Sequence, residues 1–190
     1  AVAGANITAT VVTMRAKGMT WNRVPIFVIG ATISVALAIP AFPTFMLSQI
    51  MTAMDRSFGT VFFDSHHGGS GWLYAHLFWI MGHPEVYVIL LPGVAVLMEI
   101  VPVFARRPLF SYTTAVVGFA GIAGLSILVW AHHMYISGWM PMLNGPFMIT
   151  TEMISIPTGL IFLVILGTIW GGRPWLKVPM LGVFAFLWNM

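Results

Sequence analysis

An all-α bundle of membrane-spanning helices is the fold class that three features of the sequence predict. Of its 190 residues, 59% are hydrophobic and 7% charged, against ~25% charged in an average soluble domain. Long apolar stretches at about 25–51, 72–104, 111–136 and 147–170 are each able to cross a ~30 Å hydrocarbon core as a helix. The basic residues cluster in alternate connections, as the positive-inside rule requires.

Taken in order, 1–12 reads as the tail of an earlier helix and 179–190 as the start of a later one, so both ends look cut and six segments result. No internal repeat or low-complexity linker divides them, and 1–190 is read as a single membrane domain. Arg15, Lys17 and Arg23 share one connection, Arg106 and Arg107 a second, Arg173 and Lys177 a third, and only Arg56 falls on the other side. The three basic connections should face the cytoplasm or its mitochondrial equivalent. The loop 52–71, with Asp55, Asp64, His66 and His67, is then external, and these two histidines read as solvated. The formal charge of +3 is spread between apolar spans rather than gathered in a patch, which argues against nucleic acid. With no cysteine, any metal must be held by histidine, carboxylate or methionine.

Ionisable groups inside a span cost about 2.5–3.5 kcal/mol at its centre and mark candidate sites. The second span holds His83, Pro84, Glu85 and Tyr87, the third ends in Trp130, His132 and His133, and the fourth carries Glu152. His83 and Tyr87 are four apart, so a helix sets them about 40° apart and one turn apart in height. Glu85 projects to the far side, able to move protons but not to bind the same ion. Pro84 removes a donor and frees a carbonyl. His132 and His133, near the outer end of an outgoing helix, reach the depth of His83 on the preceding ingoing one. Three neutral imidazoles suit copper, zinc or iron, with one position open for catalysis.

A lone membrane histidine is more often a packing residue than a ligand. Three at one depth, with a tyrosine and a glutamate at fixed offsets, outweigh that reading. Trp79 and Trp130, each within a turn of a candidate ligand, are expected against the metal site, unlike the remaining aromatic residues, which read as lipid contact or packing. His76 lies two turns before His83 and reads as structural.

The run HLFWIMGHPEVYVILLPG at 76–93, VWAHHM at 129–134 and IPTG at 156–159 closely resembles subunit I of the A-type haem-copper oxidases. TMRAKGM at 13–19, FFD at 62–64 and Gly171-Gly172 follow the same family order. The resemblance implies that the chain corresponds to the end of helix four through the start of helix nine of a twelve-helix subunit. It further implies that His83, His132 and His133 bind the copper of a binuclear centre, and that Tyr87 is joined covalently to the ring of His83. A tyrosine so placed supplies an electron and a proton when the O–O bond breaks. Glu85 resembles the branching proton carrier, and burial would suit a relay that is reprotonated in every cycle.

The implied activity is reduction of dioxygen to water coupled to proton translocation, in the bacterial plasma membrane or mitochondrial inner membrane. Implied partners are oxidase subunits II and III, with cytochrome c or a quinol as donor. The two haems of the family take their iron ligands from outside this stretch. The lysine expected two residues after IPTG is absent: Ile161 stands there, below the polar stripe of Ser155 and Thr158, and it cannot carry a proton. Protons are then expected by another route, through a carboxylate on a neighbouring helix or through Glu85. A metal transporter with transient intramembrane histidines, or a fragment inert by itself, are the rival readings.

Overall fold

The computed structural model describes residues 2–189, which form helices and short connections without strands. The α-helices are α1 (Val2–Thr13), α2 (Ile26–Phe58), α3 (Gly71–Ala105), α4 (Tyr112–Ser126), α5 (Asn144–Met153), α6 (Ser155–Trp170) and α7 (Val178–Asn189). Among the described residues, four stretches are long and apolar enough to cross a membrane: Ile26–Phe58, Gly71–Ala105, Tyr112–Ser137 and Pro141–Trp170. The chain is that of an integral membrane protein.

The spans depart from their apolar limits in three informative places. Helix α2 runs past residue 51 to Phe58, because Thr52, Asp55 and Arg56 end the apolar run without breaking a helix; Gly59, at φ 66°, ends it instead. The external connection is correspondingly shorter. In the third span the α-helix stops at Ser126, and Trp130–Ser137 is a 3₁₀ helix. Such runs seldom exceed four residues by their own hydrogen bonds, so neighbouring side chains must hold this one. The fourth span is two helices divided at Ile154. Pro157 offers no N–H to the carbonyl of Met153, and the ladder gives way there.

Helix α3 is the centre of the packing, with its longest contact along α2. It contains Pro84, Pro92 and Pro102 yet stays helical throughout. Pro92 leaves the carbonyl of Val88 without its usual donor, and the hydroxyl of the buried Ser34 on α2 donates to that oxygen at 2.6 Å. A neighbouring helix thus satisfies what proline removed, as a dry surrounding requires. Below the site, Leu91, Val94, Ala95 and Met98 of α3 meet Phe119 and Ile122 of α4 and Ile161, Val164 and Ile165 of α6 in one apolar core. Gly118 lets α4 come close: a Cβ there would lie 2.7 Å from Ile161 Cγ1.

The three basic connections meet at one end of the bundle. The Tyr112 hydroxyl donates to the carbonyls of Trp21 and Val24 at 3.1 and 2.8 Å, and the N–H of Trp175 donates to Phe104 O at 2.8 Å. Glu99, on α3, accepts from the N–H of Phe27 at 3.1 Å in the first turn of α2, where a carboxylate suits the helix dipole. The loop bearing Asp64, whose carboxylate takes the N–H of His66 at 2.9 Å and pairs with His67 Nδ1 at 2.6 Å, lies at the opposite end. The His67 hydrogen bond, followed by that of His66, holds the Asp64 carboxyl below its usual range. Neither histidine approaches the cluster described next.

Candidate metal centre

Helix α3 starts at a cap in which the N–H of Leu73 donates to Ser70 Oγ at 3.3 Å. Twelve residues further, roughly 18 Å along the helix axis, it delivers His83, which is only 4% exposed. The 3₁₀ helix lies beside it and brings His132 and His133. The ring centroids are 4.5 Å apart for His83 and His132, 4.3 Å for His132 and His133, and 5.4 Å for His83 and His133. One nitrogen from each ring lies within 4.8 Å of the others.

The donor set can be tested atom by atom. His83 Nδ1 and His133 Nε2 are 3.3 Å apart, a long N–H···N bond. Two ligands each 2.0–2.1 Å from one ion would be about 3.3–3.6 Å apart, so the spacing fits a shared cation. The Thr151 hydroxyl has one proton, which it donates to Phe147 O at 2.6 Å. At 2.8 Å from His132 Nδ1, it must therefore accept from that ring. This puts the His132 proton on Nδ1 and leaves Nε2 bare for a metal. His83 Nε2 is buried without a partner among the described residues, which leaves Nδ1 as the nitrogen turned to the cluster. His133 is exposed, so the group is open on one side. Neutral imidazoles in this arrangement fit copper, zinc or iron with a free coordination position.

The other predicted residues fall into two groups. Trp79 stacks on His133 with centroids 3.8 Å apart and planes 5° apart, and Tyr87 lies by His83 at 5.0 Å and 57°. Trp130 sits one contact further out. Its indole donates to His76 Nδ1 at 3.1 Å and its ring meets Phe147 at 5.4 Å, rather than any of the three histidines. Glu85 lies off the cluster, as its offset predicts, but it is exposed rather than buried. Glu152 is also exposed.

A family model described as Cytochrome C and Quinol oxidase polypeptide I matches residues 1–190. The chain belongs to this oxidase family. It is 41% identical over 186 residues to cytochrome c oxidase subunit 1 of Bacillus subtilis, covering 98% of this chain and 30% of that protein. It is 39% identical over 182 residues to cytochrome c oxidase subunit 1 of Cereibacter sphaeroides (96% and 32%). It is 42% identical over 186 residues to quinol oxidase subunit 1 of Bacillus spizizenii (98% and 29%). The chain thus spans about a third of the length of these oxidase subunits.

In this chain Ile161 is 3% exposed, packed against Gly118. The hydroxyls of Ser155 and Thr158 are turned to their own backbone, donating to Glu152 O and Ile154 O at 2.6 and 2.8 Å. Sequence reasoning overlooked Thr151, since attention fell on the ionisable Glu152 next to it. A threonine in a span is common, and its reach to His132 comes from the packing of α5 beside the 3₁₀ helix. With His132 as a metal ligand, Thr151→Val in the complete subunit should weaken metal binding about tenfold, as loss of a ligand's hydrogen-bond partner does. Thr151→Ser should retain it, and metal titration of the two variants against wild type checks this.

Proposed function

We propose that the chain is part of the catalytic subunit of a terminal respiratory oxidase, which reduces dioxygen to water and couples the reaction to proton translocation. The convergence of His83, His132 and His133 beside Tyr87 carries the reading. His83 Nδ1, His132 Nε2 and His133 Nε2 would hold a copper ion, and two haems would be ligated by parts of the subunit outside this chain. When bound, copper and haem bind dioxygen and deliver electrons to it.

The chain's own residues set the conditions for that chemistry. Thr151 holds the proton of His132 away from its ligand nitrogen, and Trp79 fixes the plane of His133 by stacking. Tyr87 can give up one electron and one proton together, becoming a neutral phenoxyl. The orphaned Nε2 of His83, on a ring 5.0 Å from that of Tyr87, supports a covalent link between the two rings. Forming that N–C bond removes two electrons and two protons from the pair, for which dioxygen is the oxidant. Glu85, off the metal ligands but on the same helix, is the proton carrier, on a face that the rest of the subunit would cover. The apolar core around Ile161 and the backbone-bonded hydroxyls of Ser155 and Thr158 support the Glu85 path as the route for protons. Oxidase subunits II and III and a cytochrome c or quinol donor are the partners that the proposal implies.

Optical spectra of the purified complete subunit test the reading. Two haem environments, one of them perturbed by carbon monoxide, are expected. A single haem environment, or one indifferent to carbon monoxide, would contradict it.

A further inference from the structure

We infer that Trp130 and His76 form a clamp that positions the ligand-bearing 3₁₀ helix on α3, and that they are positioning residues for the metal. The inference rests on the reading that the three histidines hold copper. Trp72, His76, Trp79 and His83 follow one another on α3 at spacings of four, three and four, so they form one stripe on one helix face. Every member of that stripe meets the segment Trp130–Ser137. The Trp72 indole donates to Ser137 O at 3.0 Å, and His76 accepts from the Trp130 indole at 3.1 Å. Trp79 stacks on His133, and His83 Nδ1 lies 3.3 Å from His133 Nε2.

The eight-residue 3₁₀ run has weak hydrogen-bond geometry of its own, so these side chains fix its place. The Trp72 bond ties its far end, and the Trp130 bond its near end, two residues before His132. An indole N–H can only donate; Nδ1 of His76 therefore accepts, and the His76 proton is on Nε2. That atom is buried without a polar partner among the described residues, and the ring stands edge-on to Trp139 at 4.1 Å and 74°. His76 is thus wedged between Trp130 and Trp139 in one tautomer. Metal–ligand distances hold within about 0.2 Å, so a clamp this near to His132 controls whether its nitrogen reaches the ion.

The test compares Trp130→Phe, His76→Leu, His76→Gln and the double change Trp130→Phe/His76→Leu in the complete oxidase, at equal haem content. The readout is the rate at which copper is lost to a chelator. Each of the first two variants should lose copper about tenfold faster than wild type, the lower end of the range for lost outer support of a metal site. The double variant should lose it no faster than the worse single one, because both break the same bond. His76→Gln should stay near the wild-type rate, since its amide oxygen can accept from the indole. Trp130→Phe removes the indole N–H with one ring but keeps an aromatic side chain at that position, and it keeps the test open if His76→Leu does not assemble. Wild-type rates in Trp130→Phe, or effects that multiply in full in the double variant, would overturn the clamp. A wild-type enzyme that holds no copper would instead overturn the oxidase reading beneath it.

Discussion

Glu85→Gln in the complete subunit is expected to lower oxygen consumption by about 10²- to 10⁴-fold, the range in which a positioned proton carrier contributes. Copper content should not change. The two expectations are separable because Glu85 is exposed and turned away from the cluster, whereas His83, two residues earlier, is buried within it. The amide keeps the size and polarity of the side chain and removes only its capacity to take up a proton. Oxygen uptake and metal analysis on the same preparation check both. Copper lost along with activity would show that Glu85 supports the ligands, and unchanged turnover would remove it from the proton route.

Tyr87→Phe is expected to have an effect of similar size for a different reason. The substitution removes one oxygen from a ring 5.0 Å from His83, so packing is nearly preserved, but the ring can no longer release an electron and a proton together. Turnover should fall by at least 10²-fold, within the scale of lost acid–base groups, with copper and haem retained. Peptide mass analysis adds a second readout. In wild type, a fragment carrying both His83 and Tyr87 should be lighter by two hydrogens because the rings are joined, and the variant should lack that deficit. A wild-type fragment of full mass would remove the covalent link from the account.

The helical architecture was legible because apolar length and basic-residue placement are direct consequences of the bilayer. The residues brought together were also legible where they share a helix: a four-residue offset puts Tyr87 beside His83 without any knowledge of tertiary structure. Four features were hidden for physical reasons. Hydropathy marks the edge of hydrocarbon, whereas helix ends depend on breakers, so α2 continues to Gly59. The 3₁₀ geometry of Trp130–Ser137 is imposed by side chains of α3, which a local pattern does not contain. The exposure of Glu85 reflects which neighbours cover its face of α3, a property of the whole assembly rather than of its place in the sequence. Trp130 was expected at the cluster because it lies within a turn of a candidate ligand, but the 3₁₀ helix sets it in line with His133 one full turn away, where it meets His76, one turn before Trp79 on α3.

X-ray absorption at the copper edge on the complete subunit tests most directly whether the three histidines form a metal site. The account predicts one histidine-ligated copper in addition to any held by partner subunits, with imidazole nitrogens at about 2.0 Å, and loss of that signal in His132→Asn with the haems still present. A copper spectrum unaltered by His132→Asn, in an enzyme that retains its full copper content, would contradict it.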